Sequence, residues 1–191
     1  MDNLNHSEYF TDYNVIETLS PRWWEMNLLS INVILMMLII GFILKKNNQH
    51  FILSYILAGI FSIDLFANHA YQLQWSLWDV QKSLPLHFCG ISYILSIIFL
   101  IKPNQTIFEL LLYWGIPGTI HAFYTPQFEF GTSGYLFWRF WLSHGALLFT
   151  ALYAVSLLGF RPRKLSWIKV FLQTQFLLIF VALVNYVFKS N

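Results

Sequence analysis

Along the chain, apolar positions gather into six long runs separated by short polar breaks, at about 27–44, 50–72, 84–102, 106–124, 136–159 and 166–188. A hydrocarbon layer about 30 Å thick is crossed by about 20 apolar residues in helical form. Each run reaches or approaches that length. Helix is required, because an open sheet would leave unpaired backbone groups in lipid, and the alternation of a barrel strand is missing from all six runs. The pattern predicts an all-α, polytopic membrane bundle of six transmembrane helices over residues 27–188, preceded by a polar segment, 1–26.

Three breaks are tight: Lys45-Lys46-Asn47-Asn48, Lys102-Pro103-Asn104-Gln105, and Gly159-Phe160-Arg161-Pro162-Arg163-Lys164. Two are longer. Residues 73–83 carry Trp75 and Trp78 and are expected to form a short helix lying in the interface. Residues 125–135 are rich in Gly, Ser, Thr and Pro and predict a loop of turns.

Composition strengthens the membrane assignment. Only 10% of the 191 residues are charged, against roughly 25% in soluble domains, too few to cover a water-facing surface. Aromatics make up 19%, with eight Trp, as suits belts at two interfaces. A net charge of +2, without a Lys/Arg run interleaved with aromatics, argues against nucleic acid. The one cysteine, Cys89, excludes an intrachain disulfide and a zinc site with several Cys ligands. Residues 1–26 lack the basic start and immediate apolar run of a signal peptide, so the first span is expected to act as its own signal.

Lys and Arg in short loops set orientation. With the amino terminus outside, the inner side holds seven, Lys45, Lys46, Lys102, Arg161, Arg163, Lys164 and Lys169, and the outer side four, Arg22, Lys82, Arg139 and Lys189. The expectation is a multi-pass protein of the cell membrane with an extracytoplasmic amino terminus.

Ionisable groups within spans are costly and mark functional candidates. Asp64 and His69 fall in the second span, His87 and Cys89 in the third, Glu109 and His121 in the fourth, Arg139 and His144 in the fifth. At about 1.5 Å per residue, four helices place polar groups at similar depth beneath the outer face, with Glu109 the exception, near the inner end. Ser83-Leu84-Pro85 has the form of a helix start, with Ser83 as cap, which puts Cys89 in the second turn. There the helix dipole favours thiolate, although a free Cys also packs as a small inert hydrophobe. His144 can serve as a general base for a thiol or hydroxyl, or simply bond across helices. Its neighbour Gly145 permits close approach of a helix or a substrate chain. Arg139 can grip a phosphate, pair with Asp64, or snorkel. His87, two residues from Cys89, lies on another helix face and is read as orienting or structural. Gly115-Ile116-Pro117-Gly118 is expected to break the fourth helix; the kink can open a cavity below the outer face, or simply reflect how common Pro and Gly are in membrane helices. No two of the span histidines stand at i, i+4, which argues against a metal.

Three strings, Leu84-Pro-Leu-His-Phe-Cys-Gly90, Glu109-Leu-Leu-Leu-Tyr-Trp-Gly115 and Phe137-Trp-Arg-Phe-Trp-Leu-Ser-His-Gly145, resemble the YwaF-like bacterial integral membrane proteins, a family related to the transmembrane protein 164 family. The resemblance covers about residues 84–187. It implies a lipid acyltransferase that uses a cysteine and a histidine, here Cys89 as nucleophile and His144 as base. Relatives continue past the Asn185-Tyr186 region into another helix, which the resemblance implies is missing here.

The function expected is acyl transfer on a phospholipid or lysophospholipid, with no cofactor. Cys89 and His144 are the catalytic candidates, and His69, Asp64, His87, His121 and Arg139 line the substrate site. Membrane lipids are the expected partners. The alternative is a transporter or lipid-binding membrane protein that uses the same polar cavity without chemistry.

Overall fold

The computed structural model describes residues 14–129 and 131–189. Six helical rods follow one another: α1 (Pro21–Lys46), α2 (His50–Gln74), α3 (Phe88–Ile101), a fourth rod, α6 (Gly134–Ser156) and α7 (Ser166–Phe188). The fourth rod is composite. It runs from α4 (Gln105–Leu110) through a π-helical turn, Leu111–Gly115, into α5 (Ile116–Tyr124). The bundle is all-α, as the runs predict. Helices α1, α2 and α7 are each long and apolar enough to cross a bilayer, with mean hydropathies of 2.5, 1.7 and 1.9, and α3 is a shorter apolar helix.

Local chemistry explains the ends. Ser20 caps α1 by accepting the Trp23 amide, and a proline opens the first turn, where its missing N–H costs nothing. Asn104 caps α4 by accepting from Thr106 and Ile107. The π turn lies immediately before Pro117, which has no N–H to offer the preceding turn; a widened turn accommodates that loss.

Two expectations need correction. Residues 73–83 are not an interfacial helix: α2 runs on to Gln74, and turns follow from 75 to 87. Nor does α3 begin near Ser83. It begins at Phe88, with His87 as cap. Pro85 disfavours helical backbone at the residue before it, and the Ser83 hydroxyl is used elsewhere, donating to Gln72 Oε1 at 2.6 Å and accepting the Asp79 amide at 3.0 Å. The 125–135 loop holds one ordered feature that the sequence did not announce. Strand β2 (Gln127–Phe128) pairs antiparallel with β1 (Asn14–Val15), and Phe128 packs with Ile16, Met26, Phe123, Phe137 and Trp141.

Helix α6 is the hub, packed against α1, α2, α3, α5 and the π turn. Lipid tails are as apolar as leucine, so helices in a membrane associate through close packing of small residues and interhelical hydrogen bonds. Both occur along α6. Ala146, Ala151 and Ala154 are buried. The hydroxyls of Ser54 and Tyr153 lie 2.6 Å apart, and Tyr153 also donates to the His50 carbonyl. Helix α7 is peripheral, resting on α4, with Trp114 Nε1 donating to Thr174 Oγ1 at 3.0 Å.

At the end of the bundle opposite the other ionisable candidates, Glu109 is fully buried and gripped by Arg163. The guanidinium donates from Nη2 to Oε2 at 2.6 Å and from Nε to Oε1 at 2.9 Å; the Arg163 amide and Gln105 also donate to Oε1. This forked pairing ties the connection after α6 to α4 and raises Arg163 above the ordinary guanidinium range.

Candidate functional site

Where α2 ends and α3 begins, α2, α3 and α6 diverge around a polar cavity of about 290 Å³, roofed by the 75–87 turns and the loop after α5. Its walls are helical stripes. Leu65, Asn68, His69 and Gln72 come from α2; Cys89, Gly90 and Tyr93 from α3; Arg139, Phe140, Ser143, His144 and Leu147 from α6. These spacings of three and four place each set on one helix face. Lys82 and Glu129 approach to 3.7 Å and link the two roof segments across the mouth.

Cys89 is the second residue of α3, one turn nearer the helix start than expected. A Cβ placed on Gly118 of α5 would meet Cys89 Sγ at 3.4 Å, so Gly118 forms a bare backbone platform against the sulfur. A Cβ on Gly90 would meet Pro85 Cα and carbonyl oxygen at 3.0 Å and His87 Cε1 at 2.9 Å. The missing side chain lets the 85–87 segment fold back over the start of α3.

His144 has a defined tautomer. Its Nδ1 lies 2.8 Å from the Phe140 carbonyl oxygen, which can only accept. Nδ1 therefore carries the proton, and in the neutral ring Nε2 keeps its lone pair. The ring also packs on Phe140, with centroids 4.4 Å apart. Thr119 of α5 donates to the His144 carbonyl at 3.0 Å, fixing α5 against α6 at this level. His69 is set the other way round. Its Nδ1 accepts from Trp78 Nε1 at 3.2 Å, so neutral His69 carries its proton on Nε2, as a donor.

Arg139 pairs with Asp64, Nε to Oδ2 at 3.4 Å, and Tyr93 donates to the same Oδ2 at 2.9 Å. The guanidinium lies over the Tyr93 ring at 6.0 Å. Asp64 and Arg139 thus form a buried triad with Tyr93, a residue that sequence inspection missed although it stands four after Cys89 on the same face.

Of the seven candidates, the cavity gathers His69, His87, Cys89, Arg139 and His144. It does not gather the other two. Asp64 does not line it; its carboxylate is engaged by Arg139 and Tyr93, which do. His121 is exposed: Thr119 and Phe123 mark the buried face of α5, and a position two residues from each points about 200° away. Depth along a helix brought His121 into the candidate set, and rotation about the helix removes it. Asn68, Gln72 and Ser143 join instead, and Gly118 stands against the Cys89 sulfur. Among the described residues, no group of three or more His, Cys, Asp or Glu is gathered to hold a metal ion.

A family model described as the TMEM164 family matches residues 18–191, and the chain belongs to that family. No curated protein and no solved structure matches it.

Proposed function

We propose that this member of the TMEM164 family is a membrane lipid acyltransferase in which Cys89 is the nucleophile and His144 the general base. The observation that carries the proposal is that Cys89 and His144 line one polar cavity while His144 Nδ1 is bonded to the Phe140 carbonyl, which leaves Nε2 as the ring's basic atom. In the first half-reaction Nε2 takes the thiol proton and the thiolate attacks an ester carbonyl. The lysolipid alkoxide leaves with the proton from His144, and the acyl chain remains as a thioester. In the second, Nε2 takes the proton of an acceptor hydroxyl, whose oxygen attacks the thioester; the thiolate leaves and recovers that proton from Nε2, which restores the thiol and the neutral ring. A lysolipid acceptor completes transfer; water in its place gives hydrolysis. Protonated at Nε2, His69 can donate to an ester or head-group oxygen. No cofactor enters, since the donor ester supplies the acyl group.

One observation favours the non-enzymatic alternative: Cys89 also packs against the main apolar core, as an inert thiol would. Intact-mass analysis separates the two. Purified protein in phospholipid vesicles should gain one acyl mass on Cys89, and radiolabelled lysophospholipid should become diacylated. Cys89→Ala should abolish both. His144→Ala should slow acylation by about 10²–10⁴-fold, the usual contribution of a general base. Full lipid remodelling by Cys89→Ala would refute the nucleophile assignment and leave a binding protein.

A further inference from the structure

A second cavity, of about 450 Å³, opens between α1, α2 and α6 on the other side of Arg139. Its character is opposite to that of the first. Ile34, Leu57, Phe61, Ala146 and Phe149 form a buried apolar floor, and the exposed Val33, Ile60 and Leu142 form the rim. The cleft therefore faces the surface that α1, one of the membrane-length helices, presents to lipid. Its polar groups are few: Ser30, Tyr135, the indole N–H groups of Trp138 and Trp141, and the Asp64–Arg139 pair. Among the described residues, Arg139 alone lines both cavities. Its Nε is buried and makes no hydrogen bond among the described residues, its contact with Asp64 being ionic. A buried donor without an acceptor is costly, and this one sits at the junction between the polar and apolar compartments.

We propose that the cleft between α1, α2 and α6 is the binding site for one hydrocarbon chain of a membrane lipid, with Arg139 at the point where chain meets polar head. This inference deepens the acyl-transfer reading, because it states how the ester reaches Cys89. The chain lies in the apolar cleft, and the ester and head group pass Arg139 into the polar cavity. Three features select this occupant. Two thirds of the lining residues carry no hydrogen-bonding side chain, so a polar solute would lose most of its hydration without replacement. At roughly 30 Å³ per group of water or methylene size, the volume holds on the order of a dozen carbons, a single chain rather than a whole lipid. Arg139 also supplies donors to an ester or phosphate oxygen just where an amphiphile changes from apolar to polar. Gly145 lines the cleft, and a Cβ added there would meet only Ile34 Cδ1, at 3.9 Å, so its bare backbone forms part of the chain's track.

The test uses the full chain in phosphatidylcholine vesicles doped with a phosphatidylcholine that bears a diazirine in one acyl chain, followed by photolysis and peptide mapping. Adducts are expected on the buried floor residues Phe61 and Phe149, which bulk lipid does not touch, as well as on exposed Phe176 and Tyr186 of α7, which it does. Gly145→Leu should cut the floor adducts at least fivefold and leave the α7 adducts unchanged, while Gly145→Ala should stay near wild type. If Gly145→Leu fails to fold, Val33→Phe fills the cleft from α1 and should act alike. Floor adducts that are absent, or unaffected by either filled variant, would overturn the proposal. Cys89→Ala separates it from the catalytic reading. Persistent floor adducts without any acyl-enzyme in the wild type would sink the chemistry and keep the chain site; acyl-enzyme without floor adducts would do the reverse.

Discussion

Separating Asp64 from Arg139 should unsettle the bundle by a predictable amount. The contact is 3.4 Å, with side chains 8% and 21% exposed. At an effective dielectric of about 20, unit charges at that distance attract by roughly 5 kcal/mol, most of it offset by desolvation. Removing one partner costs more than the pair is worth, because the other charge stays buried; fully buried cases reach about 3–5 kcal/mol. Arg139 borders the polar cavity and its side chain remains 21% exposed, so the lower end applies. Asp64→Asn, which keeps an acceptor for the Tyr93 hydroxyl, should cost about 2–3 kcal/mol, and Arg139→Gln about 3. The thermal midpoint in detergent should fall by about 2–4 °C for each kcal/mol in a chain of this size. The decisive measurement is the double mutant. With both charges gone no orphan remains, and Asp64→Asn/Arg139→Gln should be more stable than the sum of the singles by about 2 kcal/mol. Additivity within about 0.5 kcal/mol would mean that the charges do not interact, and would refute the energetics assigned to the triad.

Three further outcomes follow from the geometry. Gly118→Ala should be tolerated, since its Cβ meets Sγ at ordinary contact distance, 3.4 Å, and helix propensity improves by about 1 kcal/mol; Gly118→Val should crowd the sulfur and slow maleimide labelling of Cys89 at least tenfold. Arg163→Ala should expose the 157–165 connection to limited proteolysis, and Arg163→Lys should rescue it only in part because an ammonium cannot fork onto Glu109; equal protection in all three proteins would contradict the clamp. In a Cys89→Ala background, Thr132→Cys should react with an impermeant maleimide on intact cells and Lys164→Cys should not; the converse result would invert the orientation drawn from the lysines and arginines.

The six rods were legible because lipid imposes a length and an apolarity that no soluble helix has to meet. The site was legible in part. Ionisable residues at matched depth picked out His69, His87, Cys89, Arg139 and His144, which one cavity gathers. The same reasoning admitted His121, because depth follows from counting residues whereas facing depends on a rotation that the π turn reset. Ser83 misled as a cap since its hydroxyl had a tertiary partner in Gln72, invisible from local pattern. The β1–β2 pair escaped for a similar reason: two-residue strands more than a hundred positions apart carry no periodicity to detect.

The π turn has a consequence for how the fourth rod tolerates change in length. Buried positions along it run Leu111, Gly115, Thr119, Phe123, a strict rhythm of four. In a uniform α-helix each such step precesses by about 40°, and three of them would carry the stripe about 120° around the rod. One wide turn absorbs roughly a residue's worth of that rotation and keeps the stripe on a single side. The turn is thus a phase corrector. Deleting one residue between Leu111 and Gly115 would restore a regular helix and leave Gly118 and Thr119 facing as they do, whereas closing the wide turn to a regular one at unchanged length would swing them by about 100° away from Cys89 and His144. Along this rod the width of a single turn, more than the count of residues, sets what faces the cysteine.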